Sequence, residues 1–381
     1  MARNIPRVPR FYIDELQYKK ALGIFSPNSE DITESSWEDT LSESSDKFDI
    51  EGVNKLFDMN PTNYLNIKPL PAQTWSSPSF SMEVPMSIDN YTNKYFGVLG
   101  HNSLNAGLKI DLVDEHDTSI LSLIENTKTI NIFENGISSY NGFTLQKVTP
   151  EEASQVFVKI NFDDSQVAFE AGIGCITMGS IWEMSLSPDL NLTLSYEFAT
   201  KDIETVSGAT LSNSIWYQKP LWVNQEAWGI DTDTAENYTS TDRSESLNSR
   251  RVGRRVYDLT FTFMQDDELL ATNPMLNGLG MEGLTDTLVN FADAGTNSTV
   301  TIPHEDSATR DDLNINTDNS LFSQLIQKTL GFNLPFIFQP NKDVMNPSEL
   351  MLAKVDARKG WSLEQIAPNL FRTKLRIKEV W

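Results

Sequence analysis

The chain has one cysteine, Cys175, and only three histidines, His101, His116 and His304, among 381 residues. A single thiol excludes an intrachain disulfide and any zinc site built on cysteines, and it fits synthesis in a reducing cytosol. Histidines this far apart form no metal-ligating cluster by spacing. Cations are scarce as well: 30 Lys+Arg stand against 53 Asp+Glu, a formal charge of −23. Free nucleic acid is therefore not an expected partner, because phosphate neutralisation needs a clustered basic face. No apolar run approaches the ~18 residues of a membrane span, so membrane insertion is not expected. The opening "MARNIPRVPRF" carries cations without an apolar core, unlike a signal peptide.

What is present divides into three textures. Residues 1–77 read as an extended N-terminal arm: Pro-punctuated basic residues, a short helix over Asp14–Leu22, then the acidic, Ser-rich "SPNSEDITESSWEDTLSESSDKFD". Its few apolar residues cannot offset the entropy of ordering it alone. Yet Phe11, Tyr12, Phe25, Trp37, Phe48, Phe57, Tyr64 and Trp75 are more aromatics than a linker carries. The arm is expected to order by lying across a neighbouring subunit, with Phe11, Tyr12 and Trp37 as contact residues.

Residues 78–200 alternate in short runs, "FSMEVPMSI", "KYFGVLGHN", "LKIDLVD", "FTLQKVT", "QVFVKINFD", "SQVAFEAGIGCITMG" and "LNLTLSYEFA", separated by Gly, Asn, Asp and Pro. Many short strands with little helix predict a mainly β chain, here a jelly-roll β-sandwich. Residues 201–381 form a second β domain: "GATLSNSIWYQ", "LWVNQEAWGI", "RRVYDLTFTFM", "LPFIFQP", "ELMLAKVDA" and "NLFRTKLRIKEVW" read as strands. One helix is predicted over 320–330, capped by Asn319 or Ser320, with Leu321, Leu325, Ile326 and Leu330 on one face and Gly331 at its end.

Chemical motifs are weak. "GLGMEG" at 278–283 matches a dinucleotide fingerprint but follows "LLATNPMLN", which Pro274 and Asn277 spoil as a buried strand, and no βαβ rhythm surrounds it. "DTDTAE" at 231–236 opens like a calcium loop, yet Glu236 stands where the turn needs Gly. The carboxylate pairs Glu151/Glu152, Asp163/Asp164 and Asp266/Asp267 sit at turns and read as solvated. No nucleophile elbow, H-E-x-x-H or P-loop occurs. The expectation is no cofactor, no metal and no enzyme. In "SRRVGRR", Arg250, Arg251, Arg254 and Arg255 precede a strand; in so acidic a chain they are expected to meet carboxylates of another subunit, the plain alternative being a solvated loop. His101 and Asn102 close "KYFGVLGHN", either as hydrogen-bonded turn residues or as saccharide contacts.

"YFGVLGHNSLNAGLKIDLVDE" with "QVFVKINFDDSQVAFEAGIGCITMGSIWEM" resembles the discoidin or galactose-binding jelly rolls of tailed-phage virion proteins. "GRRVYDLTFTFMQDDE" and the closing "TLGFNLPFIFQPN", "LMLAKVDA" and "NLFRTKLRIKEVW" are similar to the closing sheet of phage tail-tip proteins, relatives of tail tubes and distal tail proteins. The resemblance covers roughly the last three hundred residues, on the domain-size prior. It implies a tail-tube-like β-sandwich with one packed helix in the second domain, and a virion structural protein made in the host cytoplasm. It further implies a symmetric distal tail or baseplate ring of copies, bound to tail-tube and tail-tip neighbours. The alternative is a carbohydrate-binding module of an adsorption apparatus that holds host surface saccharide; a glycan-degrading enzyme ranks third.

Overall fold

The computed structural model describes residues 7–25, 32–34, 48–49, 53–61, 63, 65–69, 79–84, 94–101, 108–114, 119–124, 136–138, 142–148, 156–162, 171–198, 200–214, 253–270, 287–289, 299–301, 319–344, 349–358 and 360–380. The protein is mainly β, with antiparallel sheets forming a sandwich, as the alternating runs predict. A 13-stranded sheet runs in the order Thr193–Glu197, Arg254–Gln265, Leu370–Glu379, Met351–Val355, Phe336–Gln339, Arg10–Asp14, Ala171–Glu183, Lys94–His101, Gly142–Lys147 and Gly136–Ser138, with three short strands beside this path. A five-stranded sheet joins Ile32–Glu34, Ser79–Val84, Val156–Phe162, Leu108–Asp114 and Ser119–Ile124. In it Met82, Val84, Ile110, Leu112, Val156 and Val158 share one buried face, as period-two alternation requires.

The N-terminal strand Arg10–Asp14 does not lie across a neighbour as expected of the arm. It lies inside its own chain's sheet, antiparallel to Ala171–Glu183 on one side and Phe336–Gln339 on the other. It joins Phe336–Gln339 to Ala171–Glu183, strands from distant parts of the chain, within one sheet. Phe11 and Ile13 point into one core, and Tyr12 into a second core on the opposite face with Tyr95, Leu99, Cys175 and Ile337. The Phe11 ring packs on Phe338, Trp182 and Phe336 at 5.3–5.6 Å between centroids. Tyr12 Oη donates to Gln339 Oε1 at 2.9 Å. Phe11 and Tyr12 are thus buried within the subunit and offer no side chain to a neighbour; Trp37 lies outside the described residues. The physical reason is burial on both faces: a five-residue strand flanked by non-local partners satisfies its backbone and hides three large side chains at once. Gly179, opposite Asp14, makes the approach feasible, since a Cβ there would collide with the Ile13 carbonyl oxygen.

The boundary expected after residue 200 also finds no break in the large sheet. Thr193–Glu197, before it, pairs with Arg254–Gln265, after it. The short helix predicted near Asp14 forms over Glu15–Ala21, capped by the Asp14 carboxylate, which accepts from Leu16 N at 2.9 Å and Gln17 N at 3.1 Å. The second predicted helix forms with its start at Ser320, whose Oγ accepts from Ser323 N, and with Leu321 and Leu325 buried. It differs in winding: Phe322–Gln327 is π-helical, and Gly331 N–H reaches back five residues to the Ile326 carbonyl at 2.8 Å.

Candidate assembly surface

The outermost described strand of the large sheet, Thr193–Glu197, has one strand neighbour, Arg254–Gln265. The register sets Leu194 opposite Tyr257 and Tyr196 opposite Arg255, so Leu194 and Tyr196 point to the side of the sheet that carries the larger core. One strand inward, Tyr257 and Leu259 are buried on that side, whereas Leu194 is 42% and Tyr196 47% exposed. The apolar layer over this face stops between the two strands. Leu192 and Phe198, which flank the edge strand, are exposed too. Natural edge strands are commonly blunted by bulges, proline or inward charges. This one, "TLSYE", pairs without a bulge and holds a single charged residue, Glu197, at its end. Glu197 is turned to the other side of the sheet, where Lys378 and Arg376 hold it.

Two further features carry exposed apolar side chains, one next to the edge strand in sequence and one on its partner strand. The hairpin Thr200–Glu204/Thr210–Ser214 begins three residues after the edge strand and, among the described residues, pairs with no other strand; Ile203 and Val206 are exposed in it. At the far end of the long strand, a bulge between Thr262 and Met264 holds Phe263 at φ +68 with its ring 65% exposed. A bulky residue in the left-handed region is strained, and bulges re-aim side chains. The loop between these ends is tied down: Asp189 Oδ2 accepts from Thr262 Oγ1 at 2.6 Å, and Asp189 N donates to the Thr260 carbonyl.

The expected arginine interface is corrected in part. Arg255 turns inward: Nη2 meets Glu379 Oε1 at 3.0 Å and the Leu350 carbonyl at 2.6 Å, while Arg255 N–H donates to Glu379 Oε2 at 2.9 Å. Glu379 is wholly buried. A carboxylate placed by strand alternation on the core side needs a cation, and Arg255 supplies it from within the subunit. Arg254 is half-buried opposite Glu197, and Arg250 and Arg251 lie outside the described residues. His101 ends the strand Lys94–His101, opposite Gly142 and Ile173, and Asn102 lies outside the described residues. The Gly-rich "GLGMEG" and acidic "DTDTAE" stretches lie outside them as well.

A buried ionic cluster joins the N-terminal helix to both halves. Glu15 receives Lys94 Nζ at 2.6 Å and Lys328 Nζ at 2.8 Å; Lys328 also donates to Gln324 Oε1 at 2.9 Å and Ser180 Oγ at 3.3 Å. Burial alone would push the Glu15 carboxyl up, but the two ammonium groups overcome it and hold it well below the ordinary range. Next to it, burial pushes Asp14 up to about 7 against the pull of donors at Gln17, Thr177 and Leu16. A serine beside a lysine is a nucleophile–base arrangement in other settings. Here Lys328 donates to Ser180 and is neutralised by Glu15, which is the geometry of a structural tie. Among the described residues no group of three or more His, Cys, Asp or Glu is placed to hold a metal ion, and no helix is long and apolar enough to cross a membrane.

No protein-family model matches the chain, and no curated protein sequence matches it. Among solved structures it is similar to one described as the lectin domain of lectinolysin complexed with Lewis B antigen, at 8% identity and TM-score 0.25, over 39% of this chain and 91% of that one. It is also similar to CBM32-3 from a family 31 glycoside hydrolase from Clostridium perfringens, at 13% identity and TM-score 0.23, over 43% of this chain and 99% of that one. TM-scores this low do not establish a common fold. Nothing in these comparisons points to a phage tail.

Proposed function

We propose that this chain is a structural subunit that assembles with other subunits through the Thr193–Glu197 margin of its large sheet, in the setting its sequence resemblance implies, the tail tip of a tailed phage. One observation supports the assembly reading above the rest: a sheet edge whose core-side face, Leu194 and Tyr196, is half-exposed and unblunted. Apolar edge strands are templates for another chain, and an exposed apolar stripe beside one marks an interaction surface. Sedimentation of the full chain across a concentration series tests the proposal. Association that Leu194→Lys abolishes, with thermal melting unchanged, is the expected result; a monomer at every concentration overturns it.

The second reading is a carbohydrate-binding module. The same margin carries two exposed aromatic rings, Tyr196 and Phe198, and aromatic faces, with the Tyr196 hydroxyl beside them, suit a ligand with one apolar face and polar edges. A glycan array decides between the two: a saccharide signal that Tyr196→Ala removes from a monomeric chain favours the second.

A further inference from the structure

We infer that the partner of the edge strand Thr193–Glu197 is the same strand of a second copy, paired antiparallel about a two-fold axis at Ser195. This rests on the assembly reading above and specifies its contact. The register carries the argument. Pairing the whole strand with itself antiparallel leaves only one centre, and Ser195 then faces Ser195. Leu194 of one copy faces Tyr196 of the other on the core side, and Thr193 faces Glu197 on the opposite side.

Every residue therefore meets a compatible one. The half-exposed apolar pair extends the subunit's own core across the seam, since Leu194 already lies opposite Tyr257 and Tyr196 opposite Arg255 within the subunit. No like charges are opposed: the two Glu197 side chains are separated by four residue steps, about 13 Å along the strands, farther than the ~8–10 Å screening length at moderate salt. Each Glu197 also keeps its own Lys378 and Arg376. Among the described residues no strand lies on the outer side of this one, and the pairing gives its backbone groups a ladder. The contact is isologous, so it closes in pairs instead of propagating, which is how a chain with an unblunted edge avoids growing into a filament.

The experiment is oxidative cross-linking at one engineered thiol. The native Cys175 is fully buried and does not compete. In either kind of antiparallel pair, facing Cα atoms lie within disulfide range, about 4.5 or 5.5 Å. Ser195→Cys is expected to give a covalent dimer at least about tenfold faster than Arg358→Cys, a control in an exposed turn off this edge strand, because pairing raises the effective concentration of the thiol. Adding Leu194→Lys to Ser195→Cys should bring the rate down to that of the control. If Ser195→Cys links no faster than the control while sedimentation still shows association, the two-fold pairing is wrong and the assembly reading stands. That outcome also covers a head-to-tail copy. If the chain stays monomeric throughout, both are overturned.

Discussion

Arg255 and Glu379 show how one strand position changes meaning between sequence and fold. In "SRRVGRR" the four arginines look equivalent, yet Arg255 alone is shown buried against a wholly buried carboxylate. A buried ion pair adds little over an apolar pair of the same shape, but breaking it strands the remaining charge, at a cost of about 3–5 kcal/mol. Arg255→Ala is therefore expected to lower the urea midpoint steeply, with Arg255→Ala/Glu379→Leu recovering part of the loss because no charge is left behind. An Arg255→Ala protein as stable as wild type would return this residue to the solvated loop.

At the scale of elements, the strand–helix unit Arg10–Ala21 is the joint of the molecule, and its acids make its stability depend on pH. Asp14 has a folded pKa of about 7, above its ordinary value of 3.8, so the folded state binds its proton more tightly than the unfolded state. Stability from this group is present below pH ~4 and is lost as pH rises from there to about 7. Glu15 has the opposite sign: its folded pKa is lowered, so its contribution is present above the ordinary carboxylate range and is lost in more acid solution. Asp14→Asn keeps an oxygen acceptor for the Leu16 and Gln17 N–H groups but cannot ionise. The stability difference between wild type and Asp14→Asn, followed by denaturant unfolding, is expected to move against wild type between pH 4 and 7. A difference that stays constant with pH would show that Asp14 does not titrate there.

For the whole molecule, charge and apolar surface oppose each other. Two copies that each carry −23 repel at long range. The repulsion is screened by salt, whereas contact between Leu194 and Tyr196 is not weakened by it. Self-association is thus expected to strengthen when ionic strength rises from ~0.01 M to ~0.15 M, over which the screening length falls from about 30 to 8 Å. Sedimentation at the two salt levels reads this directly. Weakening instead would mean that intersubunit ion pairs dominate, and the arginine interface expected from "SRRVGRR" would be the better account.

Alternation and turn chemistry alone settled that this is a mainly β chain, and placed Lys94–His101, Leu108–Asp114, Arg254–Gln265 and the helix from Ser320 close to where they lie. These are local properties: side chains alternate with period two and Gly331 stops a helix whatever surrounds them. Arg10–Asp14 escaped because five residues between prolines and basic groups carry too little pattern, and its partners lie far along the chain, at Ala171–Glu183 and Phe336–Gln339. The edge at Thr193–Glu197 escaped for a different reason. "LNLTLSYEFA" alternates as cleanly as a strand facing a core, and Leu194 and Tyr196 do face the core side. Whether an apolar face is covered depends on how far the layer above it reaches, which is a property of packing between distant segments, and only the tertiary structure decided that here the cover stops one strand short.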